Sequence, residues 1–338
     1  MINNKTIEPF FSIIIPAFNV SKYISQSLKS TVNQTYNNIE IIIIDDNSTD
    51  GTADLVSLFA KNDPRILFIR NKENKSQNYS RKKGVELAKG DYILFLDSDD
   101  ELELNACESL YNAIFSETKD IIEFSYTCIP NGNIVHAPYN ERADRLALIL
   151  QESGPTIQSL WNKAYRADKL KKAFHFIQPK RLVCGEDIYQ STVIARHLTS
   201  IKIIDTPLYK YRTGIGVSSR KQLSFKETTG YIDSLVLVMN MVTQYIKIHA
   251  IEYEKYLTGF QQHIINDSLY GHVFERTNEN DIGKAFLYLL KTFPENIIEN
   301  ELFKIYTILQ TPTNDRPSLI FKILRKAKKI LVRNRIKK

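Results

Sequence analysis

Residues Tyr92 to Glu101 read YILFLDSDDE. Tyr92-Ile93-Leu94-Phe95-Leu96 is a short, nearly continuous apolar run, the pattern of a strand buried on both faces of a parallel sheet. It stops at Asp97-Ser98-Asp99-Asp100, where three carboxylates fall within four residues. Such a cluster repels itself and resists burial unless a cation offsets it. Continued strand alternation would send Asp97 and Asp99 to one side and Ser98 to the other. That pair suits a hard divalent ion, Mn2+ or Mg2+, which takes oxygen ligands and shares them with substrate phosphates. A lone D-x-D is more often a solvated turn, but open α/β sheets bind ligands at the carboxyl ends of their strands.

Upstream, strand and helix patterns alternate. Phe11 to Ile15 predicts a first buried strand stopped by Pro16, and Ser21 is placed to cap a helix carrying Ile24, Leu28 and Val32. Ile39 to Ile44 predicts a second strand, closed by Asp45-Asp46, before a helix with Val56, Phe59 and Ala60 on one face. Ile66 to Ile69 reads as a third strand and Tyr79 to Ala88 as a third helix, ended by Gly90. This alternation predicts right-handed crossovers and an α/β fold, a mainly parallel sheet flanked by helices.

Downstream the alternation weakens. Helices are expected over 104–115, 146–151, 161–172 and 188–197, the last opening from Gly185-Glu186-Asp187. Strands are expected at 121–129 and, on an edge, 201–205, with a turn at Pro130-Asn131-Gly132-Asn133 and a return through Pro207 to Arg212. Beyond about Lys221 only helical periodicity remains, which predicts a C-terminal helical appendage.

With 338 residues, 43% hydrophobic and 25% charged, the chain has a soluble globular composition. The formal charge of +7 admits nucleic acid, anionic membranes or phosphorylated substrates as partners. Cys107, Cys128 and Cys184 show neither disulfide nor zinc spacing, so a reducing cytoplasm is expected. MINNKTIEPF has no apolar signal core and no apolar run approaches membrane-spanning length, so neither export by that route nor a bilayer span is expected.

Two strand ends carry acidic pairs, Asp45-Asp46 and Asp97 with Asp99, and ask for a shared ligand. One carboxylate can accept the N3 proton of a uracil, another can hold ribose hydroxyls, and a metal-bound pair can hold a diphosphate. No G-x-G-x-x-G and no G-x-x-x-x-G-K-[ST] follows the first strand, which disfavours dinucleotide and P-loop binding.

Three stretches, Ser12 to Asn19 (SIIIPAFN), Ile43 to Thr52 (IIDDNSTDGT) and Phe95 to Asp100 (FLDSDD), resemble the N-terminal signatures of the family 2 glycosyltransferases in order and spacing. A fainter likeness continues through Trp161-Asn162-Lys163, Gly185-Glu186-Asp187 and Tyr211-Arg212 to about residue 220. The resemblance implies a GT-A fold, a nucleotide-sugar donor, a divalent metal and inversion at the anomeric carbon. It divides the chain into a nucleotide-sugar-binding half (1–105) and an acceptor-binding half (106–220). A helical region (221–315) and a basic tail (316–338) lie beyond it.

By the same resemblance Pro16 and Phe18 would line the nucleoside pocket and Asp46 would accept from the base. Asp97 would sit by ribose and metal, and Asp99 would ligate the metal. Arg81 matches the arginine of the family's N-x-G-x-x-x-A-R-N segment, near the nucleotide. Here that segment reads Asn74-Lys75-Ser76-Gln77-Asn78-Tyr79-Ser80-Arg81-Lys82, so its usual glycine and final asparagine are replaced. Arg212 matches a segment that closes over the diphosphate. An inverting displacement needs a base for the acceptor hydroxyl. Asp187 matches the family's base and Glu186 its neighbour, although two acids opening a helix also satisfy the helix dipole. Trp161, the single tryptophan, is a candidate for stacking on the acceptor sugar. The six histidines show no ligand spacing.

After Pro317 the chain reads SLIFKILRKAKKILVRNRIKK, with Leu319, Ile320, Ile323, Leu324, Ile330 and Leu331 able to share one helical face. A basic amphipathic helix of this kind suits an anionic membrane surface. No stacking aromatics or nucleic-acid motif accompany it, so nucleic acid is not expected. The expected function is therefore a metal-dependent inverting glycosyltransferase. It would use a UDP-sugar and a lipid-linked or cell-surface glycan acceptor, peripheral on the inner face of the cell membrane. A nucleotidyltransferase on a similar sheet and a non-catalytic nucleotide-binding scaffold are the alternatives. The first lacks its usual phosphate loop at Pro16 to Ser21, and the second is disfavoured by the intact acidic motifs.

Overall fold

The structure, a computed structural model, describes residues 8–138, 141, 143–151, 155–215, 219 and 222–293. The chain forms two compact units, dividing between residues 219 and 220. In the first, strands β1 (Phe11–Ala17), β2 (Ile39–Asp45), β3 (Ile66–Arg70) and β4 (Tyr92–Phe95) alternate with helices α1 (Ile24–Val32), α2 (Thr52–Asn62) and α3 (Gln77–Leu87). The four strands are parallel in the order β3-β2-β1-β4. Ile13, Ile14, Ile15, Ile41 to Ile44, Ile93, Leu94 and Phe95 are all 0% exposed, which is why these runs are apolar without alternation.

Two local expectations fail for visible reasons. Pro16 does not stop β1, which runs on to Ala17. The Leu96 N–H reaches the Ile14 carbonyl at 2.9 Å and β4 pairs no further, so the N–H that Pro16 lacks faces no partner strand. Ser21 does not cap α1, which starts at Ile24; its backbone N–H instead donates to Asp50 at 3.0 Å.

The second half of this unit adds β5 (Glu101–Leu102), α4 (Ala106–Ser116), β6 (Ile121–Ile129), β7 (Ile134–Val135), α5 (Arg145–Gln151), α6 (Pro155–Gln158), β8 (Lys163–Arg166), α7 (Ala167–Phe176), α8 (Glu186–His197) and β9 (Ile201–Arg212). The sheet continues β4-β8-β6-β9-β5, with β7 beside β6. Pairing here is mixed, since β8 runs antiparallel to both β4 and β6 while β9 is parallel to β6. The helix expected over 161–172 is therefore corrected: Lys163–Arg166 is a strand, and the helix is Ala167–Phe176. Four residues are too few to set a period of their own, and the open ladders of β4 and β6 decide their conformation. Ile201 to Arg212 forms one strand, with its register shifting on either side of the Ser125–Pro207 pair.

The described part of the second unit is helical, with α9 (Phe225–His249), α10 (Leu257–Asn266) and α11 (Ile282–Thr292). Ser224 and Glu227 close a reciprocal capping box at the start of α9. Among the described residues no helix is long and apolar enough to cross a membrane. The basic segment 316–338 lies outside the described residues.

Candidate active site

The carboxyl ends of β1 and β2 present the first wall. The Asp46 N–H donates to the Ala17 carbonyl at 2.8 Å, and Asn19 donates to Ser48 Oγ at 2.9 Å. Asn19 and Asn47 both hold left-handed backbone, at φ 51° and 65°. This knits the two loops together and leaves Phe18 45% exposed, available to a flat ring. Pro16 is buried within β1, so of the expected nucleoside pair only Phe18 presents surface. Asp45 is fully buried, accepting from the Ser48 N–H and paired with Arg70 at 3.2 Å.

Asp46, the expected acceptor for the base, is held from the loop that follows β3. Its carboxylate accepts from Asn71 Nδ2 at 2.8 Å, Lys75 N–H at 2.9 Å and Ser76 N–H at 2.7 Å, and the residue is 3% exposed. Three internal donors make it an anchor of the 71–76 loop. That loop passes through Ser76 at φ 82°, the position where the family segment carries glycine, and then opens α3. Lys82, at the segment's replaced asparagine, donates to the Ile177 carbonyl at 2.7 Å.

The acidic stretch is a turn rather than extended strand. β4 ends at Phe95, and the Asp100 N–H closes back on the Asp97 carbonyl at 3.0 Å. Strand alternation beyond Phe95 is therefore corrected. Asp97 accepts from Gln77 Nε2 at 2.8 Å and pairs with Arg81 Nη2 at 3.0 Å. Asp100 turns inward, 2% exposed, and accepts from Tyr209 O–H at 2.8 Å and the Arg212 backbone N–H at 2.7 Å. The Arg212 side chain donates to the Asp99 carbonyl at 3.0 Å, Gln26 at 3.0 Å and Glu101 at 2.7 Å. Its guanidinium thus braces the acidic loop.

The first turn of α8 supplies the opposite wall. Gly185 adopts φ 78° ahead of the helix and delivers Glu186 and Asp187 to the same place as Asp97. Arg81 joins them: Nη1 bonds Asp187 Oδ1 and lies 3.9 Å from Glu186, while Nη2 holds Asp97. At 1% exposure Arg81 is sealed beneath the carboxylates. Asp187 keeps 31% of its side chain exposed.

Burial pushes Asp97 up to about 6, held back by Arg81 and raised further by Asp187 and Asp99. Burial together with Asp187 pushes Glu186 up to about 7, with Arg81 opposing. Asp100 rises to about 8 by burial and its neighbours Asp97 and Asp99, and burial raises Asp99 as well. Burial works against the charge on Arg81, but Asp187, Asp97 and Glu186 more than offset it. These carboxyls outnumber Arg81 and Arg212, and an excess of buried negative charge is what a divalent cation relieves. Among the described residues no set of three or more His, Cys, Asp or Glu side chains could hold an ion alone. A divalent ion on Asp97 and Asp99 would need its remaining oxygen ligands from outside the protein.

Trp161, the expected stacking residue for the acceptor sugar, lies among aromatic rings. It is 6% exposed, stacked with Tyr209 at 4.6 Å and Tyr211 at 5.2 Å, with Tyr126 edge-on at 4.7 Å. Sequence reasoning passed over Asp100, whose adjacency to the D-x-D was the available signal, and Gln77, which carried none. It also passed over the buried set Glu123, Lys163 and Arg145. Lys163 lies 3.4 Å from Glu123, which also pairs with Arg145.

The sequence profile described as Glycosyl transferase family 2 matches residues 12–183, and the chain belongs to that family. EpsH of Bacillus subtilis (strain 168) is 33% identical over 211 residues, 60% of this chain and 61% of that one. A GalNAc(5)-diNAcBac-PP-undecaprenol beta-1,3-glucosyltransferase of Campylobacter jejuni is 38% identical over 103 residues, 30% of this chain and 33% of that one. The chain thus spans 61% and 33% of these relatives. S. aureus TarS 1–349, solved in complex with UDP, superposes with a TM-score of 0.60 over 85% of this chain and 82% of that one, at 19% identity. That likeness shows the GT-A fold.

Proposed function

We propose that the chain is a metal-dependent inverting glycosyltransferase that moves a sugar from a UDP-sugar to a hydroxyl of a lipid-linked or cell-surface glycan. One observation carries this reading. The donor-side carboxylates after β4 and the two acids opening α8 meet around one buried arginine, at the carboxyl ends of the parallel strands. Asp187, the more exposed of the α8 acids, takes the acceptor hydroxyl's proton as that oxygen attacks the anomeric carbon. The bond from that carbon to the diphosphate breaks on the opposite face. Glu186 orients the acceptor beside it, and Phe18 covers the nucleoside. Asp97 and Asp99 would hold a divalent ion, which would supply charge neutralisation for the departing nucleoside diphosphate.

The UDP reading is supported by the shared fold with TarS, a UDP-bound protein. The lipid-linked acceptor is supported by the Campylobacter relative, whose name contains an undecaprenol diphosphate. The basic segment 316–338 supports a place on the inner face of the cell membrane, with the catalytic half in water. A turnover screen across nucleotide sugars with Mn2+, and again with excess chelator, tests the proposal. Turnover of a UDP-sugar that chelation abolishes is the expected result. No turnover of any donor would overturn the reading, full activity in chelator would remove the metal, and GDP competing better than UDP would remove uridine.

A further inference from the structure

We propose that Arg81 is a positioning residue, which aims the Asp187 carboxylate at the acceptor by tying it to Asp97, and that it does not touch the nucleotide. The inference rests on the transferase reading above. The guanidinium is 1% exposed, and its two Nη groups point to different walls of the cleft, Nη2 to Asp97 at 3.0 Å and Nη1 to Asp187. A planar fork holds two carboxylates in fixed directions in this way; an ammonium is a compact charge without that fixed geometry. Arg81 binds Asp187 through Oδ1 while the side chain stays 31% exposed, so restraint and access coexist.

The frame around Arg81 is rigid. Gly84, one turn further along α3, packs so closely on β1 that an added Cβ would lie 2.4 Å from Ile14 Cγ2. The Phe95 ring lies 5.9 Å from the guanidinium. From α8, Gln190 reaches Arg81 at 3.5 Å and Asn78 at 2.9 Å, and Asn78 in turn holds the carbonyls of Gln178 and Lys180 at 2.9 and 2.8 Å. Helices α3 and α8 are therefore pinned to each other and to the loop leading into Glu186. The donor wall and the base wall are joined through this one side chain. A carboxylate freed from such a restraint samples rotamers that miss the acceptor, and a misplacement of about 1 Å costs about 10² in rate.

The test uses the full chain with Arg81→Lys and Arg81→Ala. UDP affinity is measured by calorimetry with Mn2+, and turnover is measured on the nucleotide sugar that the wild type uses. Arg81→Lys keeps a cation beside Asp97 but loses the fork to Asp187, so UDP affinity is expected to fall less than about tenfold while turnover falls about 10²-fold. Millimolar guanidinium should restore part of the turnover of Arg81→Ala and leave wild type unaffected. If Arg81→Ala does not fold, Arg81→Lys carries the comparison alone. UDP affinity falling as far as turnover, or wild-type turnover in Arg81→Lys, would overturn the proposal. A wild type inert on every donor would instead overturn the transferase reading. In that case a crystal structure with UDP decides: a guanidinium within hydrogen-bond reach of a phosphate oxygen contradicts the proposal, and one still bridging Asp97 and Asp187 supports it.

Discussion

Tyr209 donates its hydroxyl to the buried Asp100 carboxylate at 2.8 Å, so the last strand of the sheet holds the loop that follows its central strand. Tyr209 is itself 0% exposed and receives the Asp97 N–H at 3.2 Å. Tyr209→Phe removes both bonds and leaves a buried carboxylate short of a donor. A loss of about 1–3 kcal/mol is expected in urea denaturation. UDP affinity with Mn2+ should weaken in parallel, because Asp97 and Asp99 sit on the loop released; unchanged affinity would separate the brace from the site.

Ser76 holds φ 82° where the family segment carries glycine. A non-glycine residue in that region costs about 1–3 kcal/mol of strain. Ser76→Gly relieves the strain but loosens the unfolded chain by about 0.4–1 kcal/mol. A net stabilisation of about 1 kcal/mol is expected from the denaturation midpoint. A destabilised variant would mean that the Ser76 hydroxyl, 3.4 Å from the Leu182 N–H, outweighs the strain.

The parallel half of the fold was legible because each strand is buried on both faces and therefore reads as an unbroken apolar run. β8 was not, because four residues pairing on both sides obey their neighbours rather than their own periodicity. Within the site the acidic motifs announced themselves, but their division of labour did not. Asp46 could not be recognised as a loop anchor, since its three donors come from residues 71–76 and no local pattern marks them. Asp100 was hidden by extending strand geometry past Phe95, where the chain turns. The burial of Trp161 needed the aromatic pairs of β6 and β9 in view.

Glu123 is 0% exposed between Lys163 and Arg145. Glu123→Gln leaves two buried cations facing an amide, and a loss of about 3–5 kcal/mol is expected. Burial already holds the Lys163 pKa below its ordinary value, and losing Glu123 lowers it further. The folded variant then binds fewer protons than the unfolded chain, so its stability should rise as pH climbs towards the ordinary lysine range. Denaturation at pH 6 and pH 9 checks the sign; a deficit that grows with pH would contradict it.

The segment 316–338 carries basic residues with apolar positions that can share one helical face. Each basic residue near an anionic surface contributes about 1 kcal/mol, screened over about 10 Å at 0.1 M salt. Sedimentation with phosphatidylglycerol vesicles should show binding that falls at high salt and disappears on truncation at Pro317. Equal binding to neutral vesicles, or none to either, would rule out the electrostatic dock.

The most direct measurement is the turnover of Asp187→Asn alongside its UDP affinity, both on the full chain with Mn2+. The amide keeps the size of the carboxylate but cannot accept the proton, so turnover should fall by about 10²–10⁴. UDP affinity should fall far less than turnover, because Asp187 opens α8 while the proposed donor carboxylates follow β4. Near-normal turnover would contradict the account, returning the base role to Glu186 or to another acid.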